Sequence, residues 1–175
     1  MHIDLPKQYY FINEFNKKNI DKLKKNIGII YRNYSKNINK NEILKLKYFC
    51  KKKKLKFFIS NNVKIAYQLN LDGIYLPSFN KNLRHLNYQT KSKFLILGSA
   101  HNIKEIRVKE QQKADLIFIS SIFKKNKNYL GINKFNNIKK VTKTKIIALG
   151  GISKNNIKKL KILDCFGFAG ISYFK

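Results

Sequence analysis

Eight short apolar runs, each followed by a polar, lysine-bearing stretch, constrain this chain more than any other feature of its sequence. The runs are QYYFIN (8–13), IGIIYRN (27–33), LKFFIS (55–60), GIYLP (73–77), KFLILGS (93–99), DLIFISS (115–121), KIIALGG (145–151) and GFAGIS (167–172). Most are continuously apolar rather than alternating, the pattern of strands buried on both faces of a parallel sheet. Between them, segments 16–25, 40–51, 62–69, 102–112, 134–141 and 153–163 carry apolar residues three and four apart, as amphipathic helices do. Segment 79–91 is irregular and only weakly helical. Ser153 and Asn102 are the candidate N-caps.

Repeated strand–helix alternation ending in an eighth strand is the arithmetic of an α/β (β/α)8 TIM barrel, with an open doubly wound sheet as the alternative. The 175 residues are few for a barrel, where about 250 is typical, so the helices must be brief and the loops minimal. No Pro/Ser/Gly-rich linker interrupts the chain, and residues 1–175 read as a single domain.

The formal charge of +29, from 38 Lys+Arg against 9 Asp+Glu, raises nucleic-acid binding. Two features argue against it as the main role. The lysines are spread along the whole chain beside abundant Asn and Ile, as an AT-rich coding sequence would dictate, and the densest run, CKKKKLK (50–56), merely closes a helix before a strand. Arginine, the preferred reader of bases and phosphates, occurs only at Arg32, Arg84 and Arg107. The charge should still draw in anionic substrates. Cys50 and Cys165 form neither a metal spacing nor a disulfide framework and read as buried thiols in a reducing compartment. With no signal-peptide pattern and no apolar span of about 20 residues, the expectation is a cytoplasmic protein without a membrane segment.

In a barrel, function gathers where the strands end. Those ends carry Asn13 and Glu14; Arg32 and Tyr34; Ser60 and Asn61; Ser78 and Asn80; Ser99 and His101; Ser120 and Ser121; Gly150 and Gly151; and Ser172. Carboxylates are nearly absent. Asp72, Asp115 and Asp164 precede strands, Glu42, Glu105 and Glu110 lie on helices, Asp4 and Asp21 precede the barrel or ride its first helix, and Glu14 alone is expected at the mouth. Neither a paired-carboxylate mechanism nor a nucleophilic triad has its residues. Phosphate binding does: LGGIS ends the seventh run and GIS the eighth, and glycines let a phosphate approach backbone N–H groups at a helix start.

Taken in order, ISNNVKIAYQLNLDGIYLP (59–77), LGSAH (97–101), ADLIFISSIF (114–123), LGI (130–132), IIALGGIS (146–153) and GFAGIS (167–172) resemble the thiamine phosphate synthase/TenI family from about residue 8 onward. The resemblance implies a (β/α)8 barrel. For synthase members it also implies Mg²⁺-assisted joining of a thiazole phosphate to a pyrimidine methyl pyrophosphate by a dissociative path. On this resemblance Gly150, Gly151, Ile171 and Ser172 are the phosphate-binding residues. Arg32, Ser60, Asn61, Ser99 and Lys127 (or Lys125) would face the pyrophosphate and pyrimidine.

This sequence departs from the family elsewhere. Of the second strand's Gln-x-Arg-x-Lys only Arg32 survives, and Asn61 and Asn80 stand where the metal-binding acids are expected. Losing both charges should weaken Mg²⁺ binding severely. The TenI branch's histidine falls on Ser121, which lacks a pKa near neutrality; His101, one strand away, is the candidate substitute base. Three readings stay open: a thiamine-biosynthesis barrel acting on phosphorylated thiazole and pyrimidine, a catalytically degenerate barrel that binds a phosphorylated ligand or partner, and a basic nucleic-acid binder. A homodimer is expected from base rates alone.

Overall fold

The computed structural model describes residues 5–34, 39–89 and 93–175, so residues 90 and 91 of the irregular segment, and Asp4, lie outside the described residues. Strands β1 (Gln8–Ile12), β2 (Ile27–Tyr31), β3 (Lys56–Ser60), β4 (Gly73–Leu76), β5 (Leu95–Ala100), β6 (Leu116–Ile119), β7 (Lys145–Leu149) and β8 (Gly167–Gly170) form one closed barrel in chain order. All neighbours are parallel, and β8 closes on β1 with Gln8 opposite Phe168 and Tyr10 opposite Gly170. The open-sheet alternative is thereby excluded.

The outer layer holds α1 (Lys17–Asp21), α2 (Lys40–Lys52), α3 (Val63–Gln68), α4 (Ile103–Gln111) and α5 (Gly131–Lys139). Asn16, Asn39, Asn62 and Asn102 each accept a backbone N–H from the first turn of the helix they precede, so Asn102 caps α4 as expected. Two segments are 3₁₀ turns instead, Arg84–Asn87 and Ile157–Leu163. The second corrects the helix expected over 153–163. Ser153 does not cap it with its side chain: its carbonyl accepts from the N–H groups of Asn156 and Ile157, while Asn156 Oδ1 accepts from Ser153 N–H.

Continuously apolar strands are buried on both faces because each face has its own core. Inside the ring lie Tyr9, Phe11, Ile30, Phe58, Tyr75, Leu97, Leu116, Phe118 and Ile147. Phe11, Tyr75 and Phe118 meet edge to face, with centroids 5.2 to 6.1 Å apart, and plug the barrel. Outside the ring, Ile29, Phe57 and Ile74 pack under α2 and α3, and Ile117, Ile119 and Ile146 under α4 and α5.

The acids before the strands tie neighbours together at the end opposite the mouth. Asp72 accepts from Phe57 N–H and pairs with Lys56 (2.9 Å), and Asp115 accepts from Ile96 N–H (2.8 Å). Burial pushes the thiol of Cys50 up to about 12 and also raises that of Cys165. Among the described residues no helix is long and apolar enough to cross a membrane.

Candidate functional site at the barrel mouth

The parallel register decides which strand ends meet. Opposite pairs Ile12–Tyr31, Ser60–Tyr75, Ala100–Ile119, Ile119–Ala148 and Leu149–Ala169 bring the expected residues into one ring. Gly150–Gly151 and Ile171–Ser172 therefore leave adjacent strands side by side. Both glycines have positive φ, +101° and +77°. A Cβ on Gly151 would lie 2.5 Å from Lys124 N, so the β6 loop requires bare backbone there in its own right. Phe123 and Lys124 both donate to the Gly150 carbonyl, bracing the two loops. Because the following segment is a 3₁₀ turn beginning at Ile157, no α-helix N-terminus points at this place, contrary to expectation.

Arg32 stacks its guanidinium 5.1 Å over the Phe11 ring and donates its N–H to Ile12 O (2.7 Å). With Asn13, Asn33 and Tyr34 it lines an open cavity of about 390 Å³. Ser60 and Ser99 are buried below the rim; Ser60 Oγ lies 3.5 Å from Tyr34 OH, and the Ser99 hydroxyl bonds to that of Tyr75. A larger cavity, about 840 Å³, lies at the far end of the barrel between α2 and α3. Its Lys51 lies in the last turn of α2 and its Lys54 just beyond, at the carbonyl end where cations are favoured locally.

Ser121 is buried, its hydroxyl donates to Lys124 O (2.8 Å), and its N–H and carbonyl are taken by Asn128 and Leu130. It therefore anchors the β6 loop, which leaves Lys125 and Lys127 exposed. His101 Nδ1 lies 2.8 Å from the Ser120 carbonyl and 3.0 Å from its hydroxyl. A carbonyl only accepts, so Nδ1 carries the proton of the neutral ring and Nε2 is the basic nitrogen.

Glu14 is not the sole acid at this level. A helix that follows a strand begins at the mouth, so Glu42 and Glu105 sit there too, in the first turns of α2 and α4. Glu42 accepts from Phe15 N–H and Tyr31 OH (both 2.9 Å), and Glu105 from His101 N–H (2.8 Å) and Asn102 Nδ2 (3.1 Å). Both carboxylates are spent on holding loops.

Sequence reasoning also missed Lys109 and the aromatic pair Tyr34–Phe79 (5.8 Å), which spans the rim above β3. Lys109 had a signal: it falls one turn after buried Ile106, on the inward stripe of α4.

A magnesium ion does not fit the residues present. Among the described residues no group of three or more His, Cys, Asp or Glu comes together. Asn61 and Asn80, at the positions expected for acids, bond instead to each other, Asn80 Nδ2 donating to Asn61 Oδ1. Each amide oxygen, neutral where an acid would be charged, already accepts a hydrogen bond, Asn61 Oδ1 from Asn80 and Asn80 Oδ1 from Asn82 N–H.

The model of the thiamine monophosphate synthase (TMP-TENI) family matches residues 23–174. A thiamine-phosphate synthase of Fusobacterium nucleatum subsp. nucleatum is 30% identical over 133 residues, covering 74% of this chain and 65% of that one. That of Methanococcus vannielii is 26% identical over 120 residues (66% and 58%), and that of Pelagibacter ubique 28% over 155 (85% and 74%). The chain thus spans 58% and 65% of the lengths of the Methanococcus vannielii and Fusobacterium proteins. In fold, it superimposes on the thiamine phosphate pyrophosphorylase of Pyrococcus furiosus with a TM-score of 0.75 at 18% identity, covering 97% of this chain and 87% of that one. A closed eight-strand ring, and a family match that extends from before β2 to beyond β8, make this chain a member of the thiamine monophosphate synthase family.

Proposed function

We propose that the barrel mouth binds a phosphorylated thiazole against the β7 and β8 loops and joins it to a pyrimidine methyl pyrophosphate, giving thiamine phosphate. Family membership supports the reaction. The observation that carries the site is the side-by-side exit of Gly150–Gly151 and Ile171–Ser172, two adjacent turns whose backbone N–H groups one phosphate could share.

In this reading the bond from the pyrimidine's methylene carbon to the pyrophosphate breaks first, its electron pair leaving on the pyrophosphate oxygen. The thiazole nitrogen then gives its lone pair to that carbon. No proton transfer is required, which suits a mouth whose Ser121 hydroxyl is committed to Lys124 O. Stabilising the departing charge is the main catalytic task. Arg32, fixed over Phe11, and the exposed Lys127 or Lys125 are the residues for it. Ser60, Asn61 and Ser99 would face the pyrimidine. His101 has no step in this reaction and holds the β5 loop to Ser120.

The mutual bond of Asn61 and Asn80 favours a second reading, a barrel that holds a phosphorylated ligand without turnover. Incubating the protein with thiazole phosphate, pyrimidine pyrophosphate and Mg²⁺, beside calorimetry with thiazole phosphate alone, separates the two. Thiamine phosphate as product is expected. Binding without product at high protein concentration establishes the second reading, and absence of binding removes both.

A further inference from the structure

The β4 loop, residues 77–82, is held from the α4 side by two buried residues. Lys109 donates to the carbonyls of Pro77 and Asn80 (2.7 Å each) and to Gln112 Oε1 (2.8 Å). Gln112 donates in turn to the carbonyls of Asn80 (3.1 Å) and Asn82 (2.9 Å). An ammonium has three donors and all three are used, on neutral oxygens. Gly98 makes room for the side chain: a Cβ there would lie 2.7 Å from Lys109 Cδ. One enclosed cation gathering two carbonyl oxygens of a loop does what a bound metal ion does for a loop.

Above this brace the amides are oriented. Asn80 Oδ1 accepts from Asn82 N–H (2.8 Å), which turns Nδ2 toward Asn61 Oδ1. Asn61 sits at φ +62°, a conformation Asn tolerates, and donates its N–H to Tyr75 O (2.8 Å). Two carboxylates in these places would repel unless a cation or a proton lay between them. Two amides satisfy one another.

We infer that this mouth has no divalent-cation site, and that the Asn61–Asn80 amide pair, seated by the Lys109–Gln112 brace, joins the β3 and β4 loops in its place. The inference rests on the proposed reading only for the expectation of a metal here. Thiazole phosphate binding can fail while it stands, and the converse also holds. Lys109 is a positioning residue: it acts on the rim through the backbone of Asn80.

The test titrates MgCl₂ alone into the full chain, followed by calorimetry and by thermal unfolding against NaCl of equal ionic strength. The wild type should give no saturable heat and no Mg²⁺-specific shift of Tm. The double variant Asn61→Asp/Asn80→Asp should unfold several degrees lower in chelator, recover with Mg²⁺ and give a saturable heat. Should the double variant fail to fold, Asn80→Asp serves, since Asn61 can turn its amide toward one carboxylate; it should gain a smaller Mg²⁺ response.

Lys109→Met, or Gln112→Met if the former does not fold, should speed amide exchange in residues 78–82 at least tenfold while exchange in α2 is unchanged. Saturable Mg²⁺ binding by the wild type would overturn the inference. So would a double-Asp variant as stable as wild type in chelator, or loop exchange unaltered by loss of the brace.

Discussion

Ser121 and Gly150 are in contact across the β6 and β7 loops: a Cβ on Gly150 would lie 2.5 Å from Ser121 Oγ and 2.8 Å from its Cα. Gly150 also sits at φ +101°, where a side chain is strained whatever the space. Gly150→Ala is therefore expected to cost roughly 2–5 kcal/mol, read as a lower urea midpoint at unchanged slope. Gly170→Ala is the control. Its Cβ would meet nothing closer than 3.6 Å, and its cost should stay near or below about 1 kcal/mol.

Arg32 presents a flat guanidinium to Phe11. Lysine keeps the charge but neither stacks in the same way nor offers a planar fork to a phosphate. Arg32→Lys should weaken inorganic pyrophosphate binding about tenfold, near 1.4 kcal/mol, with Tm little changed. Calorimetry at fixed ionic strength measures it, and undiminished affinity would remove Arg32 from the site.

Inside the ring the Tyr9 hydroxyl is buried with no hydrogen-bond partner among the described residues, and burial pushes its pKa far up. A desolvated, unpaired hydroxyl opposes folding. Tyr9→Phe should therefore be neutral or stabilise by up to about 1 kcal/mol, seen as an equal or higher Tm. A clear loss of stability would show that the hydroxyl is engaged.

On the outer layer, Thr142 Oγ1 donates to Glu110 Oε1 (2.6 Å), and Arg107 donates to the same carboxylate (2.8 Å). These bonds hold the pKa of Glu110 below its ordinary value, the Thr142 bond most. Because the folded value lies below the unfolded one, this stabilisation is complete above about pH 4.5 and is lost as pH falls through the folded value. Thr142→Val should therefore lose more stability near about pH 6 than near about pH 2. A pH-independent remainder comes from Thr144 N–H, which also uses Thr142 Oγ1. Urea midpoints of both proteins across that range give the difference.

Glu42 receives Phe15 N–H and Tyr31 OH, joining the loop after β1, the end of β2 and the start of α2. Glu42→Gln weakens two charge-assisted bonds and should cost about 1–3 kcal/mol by denaturant unfolding. Tyr31→Phe, which removes one of them, should cost less.

The ring was legible because a strand buried on both faces must be apolar at every position, and runs such as IGIIY and LIFI have no other economical use in a chain this basic. Strand order and closure followed from the count. The segment after β7 was misread as an α-helix because Ile157 and Leu160 stand three apart, a spacing that a 3₁₀ turn satisfies equally well. Gly150 and Gly151 could be placed at the mouth because they end an apolar run. The Asn61–Asn80 pair could not be found by spacing. Its members are 19 residues apart and meet only through the β3–β4 register that sets Ser60 beside Tyr75. Lys109 was hidden by composition, one cation among 38 basic residues, distinguished only by the helix face it occupies.

The shortness of the outer layer has a dynamic consequence. A closed ring has no terminal strand to peel away, so transient opening must begin in its covering. After β4 and β7 the covering is 3₁₀ rather than α-helical, Arg84–Asn87 and Ile157–Leu163, with poorer hydrogen-bond geometry than an α-helix. Those two strands also lead into the loops of Asn80 and of Gly150–Gly151. The parts of the rim that would have to yield around an arriving ligand are thus the parts that can loosen while the hydrogen bonds of the ring stay closed.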